Sequence, residues 1–388
     1  LGSLSRQLGR HHIKVGLEFF RTPIQESFSF FITRPEEVEV TPVAAQFVRG
    51  NPFDFQNKLA GEQYSGFVQG TFKLTNTLTV EAGLRYDNYH MLIADDEFSP
   101  RIGAAYLFPR THTVLRASYN RLFQPPQNEN LLLTSSPEAS ALSPLTQGRR
   151  FAPILPDKQN VFEVGIGQSI FDVLALDVAY YWKEIENFHD RNQFLDTGII
   201  FPISIAEGDI EGLDVSLTLL PYQGFSAYAS WSNSRAFGIG PINGGLFLSE
   251  EVAEIGPGFV FPNDHDQRNT AAFGVTYSRE RWNKGWISFQ GRHDSGLPLE
   301  IEEEALLRLK QTPGADLVNF ERARVKPHTT FDLSGGIDFA GKDAWQIQGQ
   351  MAIKNLFDTR FVHNFESVFG GTHFGNPRLY TFQLQFLF

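Results

Sequence analysis

Four stretches of this 388-residue chain hold side chains at spacings that invite chemistry. Gly336-Ile-Asp-Phe-Ala-Gly341-Lys342-Asp343 nearly spells a phosphate-cradling loop. The position whose hydroxyl would hold Mg²⁺ is Asp343, however, and no helix follows to present its N–H groups, so a strand running into a turn is expected. Asp264-His265-Asp266 sets three metal-capable side chains in a row, but neighbours on a strand point to opposite faces and do not converge on one ion. His363 and His373, with Glu366 between them, are either a zinc or iron ligand set or three exposed loop residues. Glu302-Glu303-Glu304 ahead of Arg308 and Lys310 suggests a short loop helix with Glu304 and Arg308 at i,i+4, or carboxylates bridged through Ca²⁺ to lipopolysaccharide. The sequence contains neither G-x-S-x-G nor H-E-x-x-H, and it has no Cys, which removes thiolate catalysis, iron–sulfur clusters and disulfides. No catalytic, cofactor-binding or metal residue is expected.

Composition shows what kind of scaffold carries these residues. The 33 Lys and Arg against 44 Asp and Glu leave a net charge of −11, which argues against a nucleic-acid partner. Aromatics are abundant, with 37 Phe, 11 Tyr and 5 Trp, yet no apolar run approaches the ~18 residues of a membrane-crossing helix. Phe-rich sequence without long apolar runs predicts strands greasy on one face only, as in a large β-barrel standing in lipid. The chain starts at Leu1 with no basic-then-apolar leader, and it reads as an excerpt of a longer protein.

Period-two alternation supports that expectation. Leu174, Leu176, Val178, Tyr180 and Trp182 alternate with Ala175, Asp177, Ala179, Tyr181 and Lys183, and Ile347, Gly349, Met351 and Ile353 alternate with Gln346, Gln348, Gln350, Ala352 and Lys354. About fourteen antiparallel strands follow from the same pattern. They lie at His11–Arg21, Glu62–Leu74, Leu78–Met91, Phe98–Phe108, Thr113–Phe123, Gln159–Ile170, Val173–Glu186, Glu207–Leu220, Phe225–Ser234, Asp266–Tyr277, Trp286–Asp294, His328–Phe339, Trp345–Lys354 and Arg378–Phe388. Joints such as Thr75–Thr77 and Pro221–Gly224 are short. They alternate with the long connections Thr22–Gly61, Gln124–Lys158, Asn187–Ala206, Arg235–His265 and Ser295–Pro327. Outer-membrane barrels have such an asymmetry, with tight turns on the periplasmic side and long loops outside; a soluble all-β protein with decorated loops is the competing reading. Glu81, Arg85, Arg116, Glu163, Asp177, Lys183, Asp214, Arg268, Asp332 and Lys354 fall on the polar face, which suits a hydrated lumen and not a packed core. Tyr89, Phe108, Phe123, Phe171, Tyr180, Trp182, Trp231 and Trp286 fall near strand ends, where interfacial girdles belong.

Five motifs in order give a resemblance. Lys354-Asn-Leu-Phe-Asp-Thr-Arg-Phe361 is similar to the "NLFD-x-R/K-Y" signature near the end of TonB-dependent receptors. Gly375-Asn-Pro-Arg-Leu-Tyr-Thr-Phe382 resembles their closing "G-x-P-R-x-Y/F" strand. Ser99–Tyr106 with Leu115–Tyr119 and Phe123–Pro126, then Pro156–Gly167, then Ile210–Asp214 resemble three further blocks of that family. The resemblance implies an outer-membrane receptor that imports a bulky nutrient of the siderophore, cobalamin, glycan or peptide class, without a cofactor. It also implies outer-membrane lipid around the barrel, TonB contacted through an N-terminal plug, and barrel-assembly machinery that recognises a last strand ending in Phe388. Asn355, Leu356, Phe357, Asp358, Pro377, Arg378 and Phe388 are then structural motif residues, with Gly165 and Gly212 at bulges or close approaches. Such receptors have about 22 strands. No plug or TonB-contacting peptide is recognisable, so residues 1–388 are expected to be one domain, the C-terminal two-thirds of a barrel. A passive channel of about fourteen strands, or an outer-membrane enzyme whose residues meet across strands, are the alternatives. The substrate and the residues that would touch it stay open.

Overall fold

A computed structural model describes all residues except 34–41, 143–152, 195–196, 247–254, 280–283, 300–305, 343–344, 368–370 and 388. Its strands are β1 (Gly2–Leu8), β2 (His11–Phe30), β3 (Phe53–Lys73), β4 (Leu78–His90), β5 (Ala94–Phe108), β6 (Thr113–Gln124), β7 (Asp157–Ile170), β8 (Leu174–Gln193), β9 (Ile200–Tyr222) and β10 (Phe225–Gly244). They continue as β11 (Val260–Pro262), β12 (Asn269–Arg279), β13 (Gly285–Asp294), β14 (Val318–Asn319), β15 (Arg324–Val325), β16 (His328–Lys342), β17 (Trp345–Lys354), β18 (Val362–Ser367), β19 (Gly371–Phe374) and β20 (Leu379–Leu387). One antiparallel sheet runs β1 to β10 in chain order and on through β12, β13, β16, β17 and β20, with β11 added to β10. Each strand pairs with the one before it, the up-and-down order of a membrane barrel wall.

All fourteen expected strands lie in this sheet, and β1 and the short β11 are additions. In β1 only Leu4 and Leu8 are apolar on one side, with Arg6 between them, so the alternation is too weak to see. The long connections are shorter than expected because strands continue past the membrane. β2 and β3 pair as far as Phe30–Phe53, and β8 and β9 as far as Gln193–Ile200. Pro23 falls within β2, past Leu17, the last residue that β1 accompanies. Beyond that point a missing N–H on the unpaired side costs little.

Directly opposed residues in an antiparallel pair share a face, so register settles which side is which. Phe72, Val80, Ala104, Ala117, Val164, Tyr180 and Leu213 form one cross-strand row, and Leu176, Leu217, Ala229 and Phe273 form another. Many of these apolar side chains stay exposed in the isolated chain, with Val164 at 45% and Phe382 at 71%. This is the lipid belt. Phe162 stacks on Trp182 at 4.9 Å within it, and Phe108, Phe171, Tyr180 and Trp231 are exposed outward as girdle residues should be. Three of the expected girdle residues pack away from the lipid instead. Tyr89 is buried beside Met91, Leu131 and Ile154, with Phe123 packed against that group, and Trp286 precedes the outward Ile287 and so takes the opposite face.

At the loop end the extended hairpins hold one another. Phe28 of β2 meets Phe194 and Phe201 edge-on at 5.3 and 5.5 Å, over Phe53, Phe55, Leu132 and Leu133. The Glu26 carboxylate accepts the Leu132 and Leu133 N–H groups at 2.8 and 2.9 Å, pinning the short helix Leu131–Thr134 to β2. Burial pushes the Glu26 carboxyl up from its ordinary value.

Candidate functional site

The inner face is as polar as the outer one is greasy. One row crosses nine strands: Ala105, Arg116, Gly165, Ala179, Asp214, Ser232, Thr270, Asp294 and His328. Arg116 forks onto Asp177 at 2.6 and 2.8 Å and reaches Glu163 at 3.1 Å, a bidentate clamp spanning three strands. Gly165 is required beneath it, since a Cβ there would lie 2.6 Å from Arg116 Cζ. Gly212 similarly leaves room for the Tyr181 ring, 2.5 Å from where its Cβ would sit. Both are close approaches; the register shifts fall elsewhere, between Phe225 and Ala227, Ile239 and Ile242, and Asp338 and Ala340. A second clamp joins Arg85 to Asp87 at 2.8 Å and to Glu18 at 2.7 Å, while Ser65 donates to Asp87 at 2.6 Å. Small side chains between the clamps open recesses in the inner wall. One of about 380 Å³ lies among Gln69, Glu81, Gly83, Arg101, Gly103 and Ser118, and another of about 300 Å³ lies among Asp177, Asp214, Ser216, Ser230, Ser232 and Arg292.

Above the wall, Asp266 is a buried knot. Its carboxylate accepts the Ala236 N–H at 3.0 Å and Arg268 Nη2 at 3.1 Å, and it is bonded by Arg324 Nη2. Arg324 also donates to the Asp266 carbonyl at 2.7 Å and the Gly296 carbonyl at 3.3 Å, which fastens the connection between β13 and β16 to the rim. Asp264 instead contacts His265 at 2.5 Å; the tripeptide lies in a turn ahead of β12 and not on a strand as expected, and it is the turn that sends Asp266 to a different set of partners. Glu366 pairs with Arg308 at 3.3 Å, His363 lies against Phe361, and His373 donates its backbone N–H to Asn364. These three side chains do not converge, and among the described residues no group of three His, Asp or Glu is placed to hold a metal ion. Glu302–Glu304 and Asp343 lie outside the described residues; β16 runs through Gly336 and Gly341 to Lys342 as extended strand.

Sequence reading missed Asp190. It lies on β8, well beyond the ~9–11 residues that cross the membrane, where Asn263 Nδ2 donates to it at 2.9 Å. Burial, with Asp264 nearby, pushes its carboxyl up to about 6, while Asp264 also raises the His265 imidazole. A raised acid is stabilised in its neutral form. Its contribution is therefore fully present below its unfolded value of ~4 and lost as pH rises through about 6. His265 acts in the same direction, its contribution present below its unfolded value and lost above its raised one. Protection factors at the β8–β9 tip, with the intrinsic base-catalysed pH dependence of exchange divided out, should thus rise from pH 7 to pH 5. Asp190→Asn should flatten most of that dependence; an unchanged profile would contradict the assignment.

The motif residues form a joint. Asn355, at φ 50°, donates its N–H to Asp332 Oδ1 at 2.8 Å and its Nδ2 to the carbonyls of Thr359 and Asn376 at 3.0 Å each. Its Oδ1 accepts the Thr359 N–H at 2.9 Å. Leu356 N–H donates to the Phe331 carbonyl, and the Phe357 ring stands edge-on 5.4 Å from Phe331. Asp358 accepts the Arg378 N–H just after Pro377 at 2.8 Å, joining β17 to the start of β20. Phe388 lies outside the described residues. Asn355→Ala strands several of these buried groups and should cost about 2–4 kcal/mol at roughly 1 kcal/mol or more per group. Urea titration of the folded barrel measures it, and Asn355→Asp, which sets a carboxylate oxygen against the Thr359 and Asn376 carbonyls in place of the Nδ2 donor, should be no better tolerated.

Comparison with known proteins agrees with this architecture. A sequence profile described as "TonB dependent receptor-like, beta-barrel" matches residues 5–356. No curated protein matches the sequence. Among solved structures, the copper transporter OprC superposes with TM-score 0.65 at 13% identity, covering 97% of this chain and 54% of that one. The FrpB iron transporter of Neisseria meningitidis gives 0.63 at 14% identity, covering 97% and 54%. The ferripyoverdine receptor of the Pseudomonas aeruginosa outer membrane gives 0.62 at 14%, covering 98% and 46%. The chain therefore spans about half the length of the solved structures it matches. With the matched profile over most of its length, an up-and-down sheet greasy outside and a charged inner wall, the chain belongs to the TonB-dependent receptor family, in its β-barrel domain, and to the outer membrane.

Proposed function

We propose that residues 1–388 are the barrel-wall domain of an outer-membrane receptor that captures a bulky nutrient at its loop rim and imports it with energy relayed by TonB to a plug encoded outside these residues. The observation that carries this is the inner wall. Ionised clamps such as Arg116–Asp177–Glu163 sit inside a lipid-facing belt, which requires a wide hydrated lumen. Similarity to structures named for copper, ferripyoverdine and iron supports a metal-chelate class of cargo over a glycan, peptide or cobalamin. The motif residues Asn355–Asp358 and Pro377–Arg378 serve the wall and not the cargo, and the final strand with Phe388 presents the chain to the barrel-assembly machinery.

The test deletes the full-length gene and measures uptake of radiolabelled ferric and cupric chelates, with and without TonB. Uptake lost on either deletion supports the proposal. Uptake that persists without TonB indicates a passive channel and overturns it. Removing Phe388 should lower the amount of folded barrel in the outer membrane several-fold; unaltered insertion would refute its assembly role.

A further inference from the structure

Charge is not spread evenly along the barrel axis. The chain as a whole is acidic, with 44 Asp and Glu against 33 Lys and Arg. Its first three tight joints, between β1 and β2, β3 and β4, and β5 and β6, reverse that balance. Together with the three residues on either side, they hold Arg6, Arg10, Lys73 and Arg110 and not one Asp or Glu. All four cations are exposed. Arg10 donates to Asn76 Oδ1 at 3.3 Å, which ties the first joint to the second through an uncharged partner. The next joint along the rim, between β7 and β8, supplies Asp172, 3.8 Å from His112. On the outward face of β8 and β9 the carboxylates gather at the opposite end, where Glu184, Glu186, Glu207, Asp209 and Glu211 lie level with Trp182 or beyond it.

These cations begin where the lipid belt ends. Leu8, Leu74 and Phe108 are 44%, 56% and 41% exposed, and Arg10, Lys73 and Arg110 each stand within two residues of one of them. Two residues of extended chain span ~7 Å, and the headgroup layer below the hydrocarbon is about 5–8 Å deep. Arg6 is itself on the outward side, opposite Ile13 and between Leu4 and Leu8. Its stem lies on hydrocarbon while its guanidinium reaches the same layer. Tight joints face the periplasm, so this layer is made of glycerophospholipid headgroups, some of them anionic.

We propose that the three joints form a basic collar that selects anionic glycerophospholipids, of the phosphatidylglycerol and cardiolipin class, from the periplasmic leaflet. Guanidinium and ammonium groups without a carboxylate beside them donate to phosphodiester oxygens. Successive joints are two strand spacings apart, ~10 Å, so neighbouring joints engage neighbouring headgroups. The attraction acts only within a screening length of the surface, which the position of the cations satisfies. A lipid and not an acidic protein is the occupant because the cations continue the lipid belt without a gap, and any protein would first have to displace the headgroups lying there.

The experiment reconstitutes the full-length receptor in phosphatidylcholine vesicles that carry a trace of spin-labelled phosphatidylglycerol or spin-labelled phosphatidylcholine. Electron paramagnetic resonance reads the fraction of each label held still against the barrel. The expected result is a preference of about three-fold for phosphatidylglycerol in ~0.02 M NaCl, falling to parity in ~0.5 M NaCl, where the screening length is ~4 Å. The triple variant Arg10→Gln, Lys73→Gln, Arg110→Gln should abolish the preference. Arg235→Gln, at the loop end where Arg235 faces Glu211 at 3.6 Å, should leave it intact. If the triple variant does not assemble, Lys73→Gln and Arg110→Gln should each lower the preference singly and Arg110→Lys should keep it. No preference in the wild type, a preference that survives high salt or the turn variants, or equal loss in Arg235→Gln would each overturn the proposal. So would capture of an acidic periplasmic protein by the same turns without lipid selectivity. The readout involves neither cargo nor TonB, so failure of the transport proposal leaves this test intact.

Discussion

Replacing Asp266 by Ala should loosen the connection between β13 and β16 by about 3–5 kcal/mol, the usual cost of removing one partner from a buried ion pair. The carboxylate is buried and serves three elements at once: the Ala236 amide on β10, Arg268 ahead of β12 and Arg324 on β15. Without it, two guanidinium groups at 23% and 30% exposure face each other with no anion between them. The connection it secures also packs Leu309, Val318 and Val325 against Val362 and Phe365, so loss of the knot spreads to the β18–β19 segment. Limited proteolysis should show new cleavage within residues 306–323 while the wall stays resistant. Arg292→Ala is the contrast, because Arg292 bonds Asp294 at 2.8 Å from a side chain that is 66% exposed. It should change little. Equal protease patterns for the two variants would contradict the role given to Asp266.

An arginine in place of Val178 should cost about 2–4 kcal/mol, the penalty for a charge on the lipid face near mid-membrane. Val178 lies four residues beyond the start of β8 and pairs with Ile166 and Val215 in the outer row. Ile347, opposite Phe386 on β20, should respond in the same direction. Gln348 is the control, since it opposes Asp338 on the inner face and borders water. Gln348→Arg should be nearly silent in urea titrations of the barrel in vesicles and in the yield of folded protein in the outer membrane. Similar losses for Val178→Arg and Gln348→Arg would count against this assignment of the faces.

What was legible in the sequence is what the solvent imposes. Where a strand has lipid on one side and water on the other, its residues alternate, and Leu174–Lys183 and Trp345–Lys354 were readable for that reason. Above the membrane both sides see water or protein, the alternation fades, and the upper halves of β2, β3, β8 and β9 look like loops. The same limit applies to the site. Arg116, Glu163 and Asp177 could be placed on the polar face, but their union across three strands depends on register, which single-strand patterns do not contain. Asp190, Asp266 and Arg324 meet through connections with no period at all. The motif around Asn355 was recognisable because one left-handed residue must serve several backbone groups within a few positions, a local demand that leaves a local trace.

Both margins of the sheet have a practical consequence. Among the described residues β1 pairs with β2 alone and β20 with β17 alone, so each presents a file of peptide groups with no ladder partner. In hydrocarbon such groups cost several kcal/mol apiece. These 388 residues produced by themselves in detergent should therefore zip margin to margin into a ladder of mixed stoichiometries. Flanking sequence that supplies the absent neighbours should collapse that ladder to a single species.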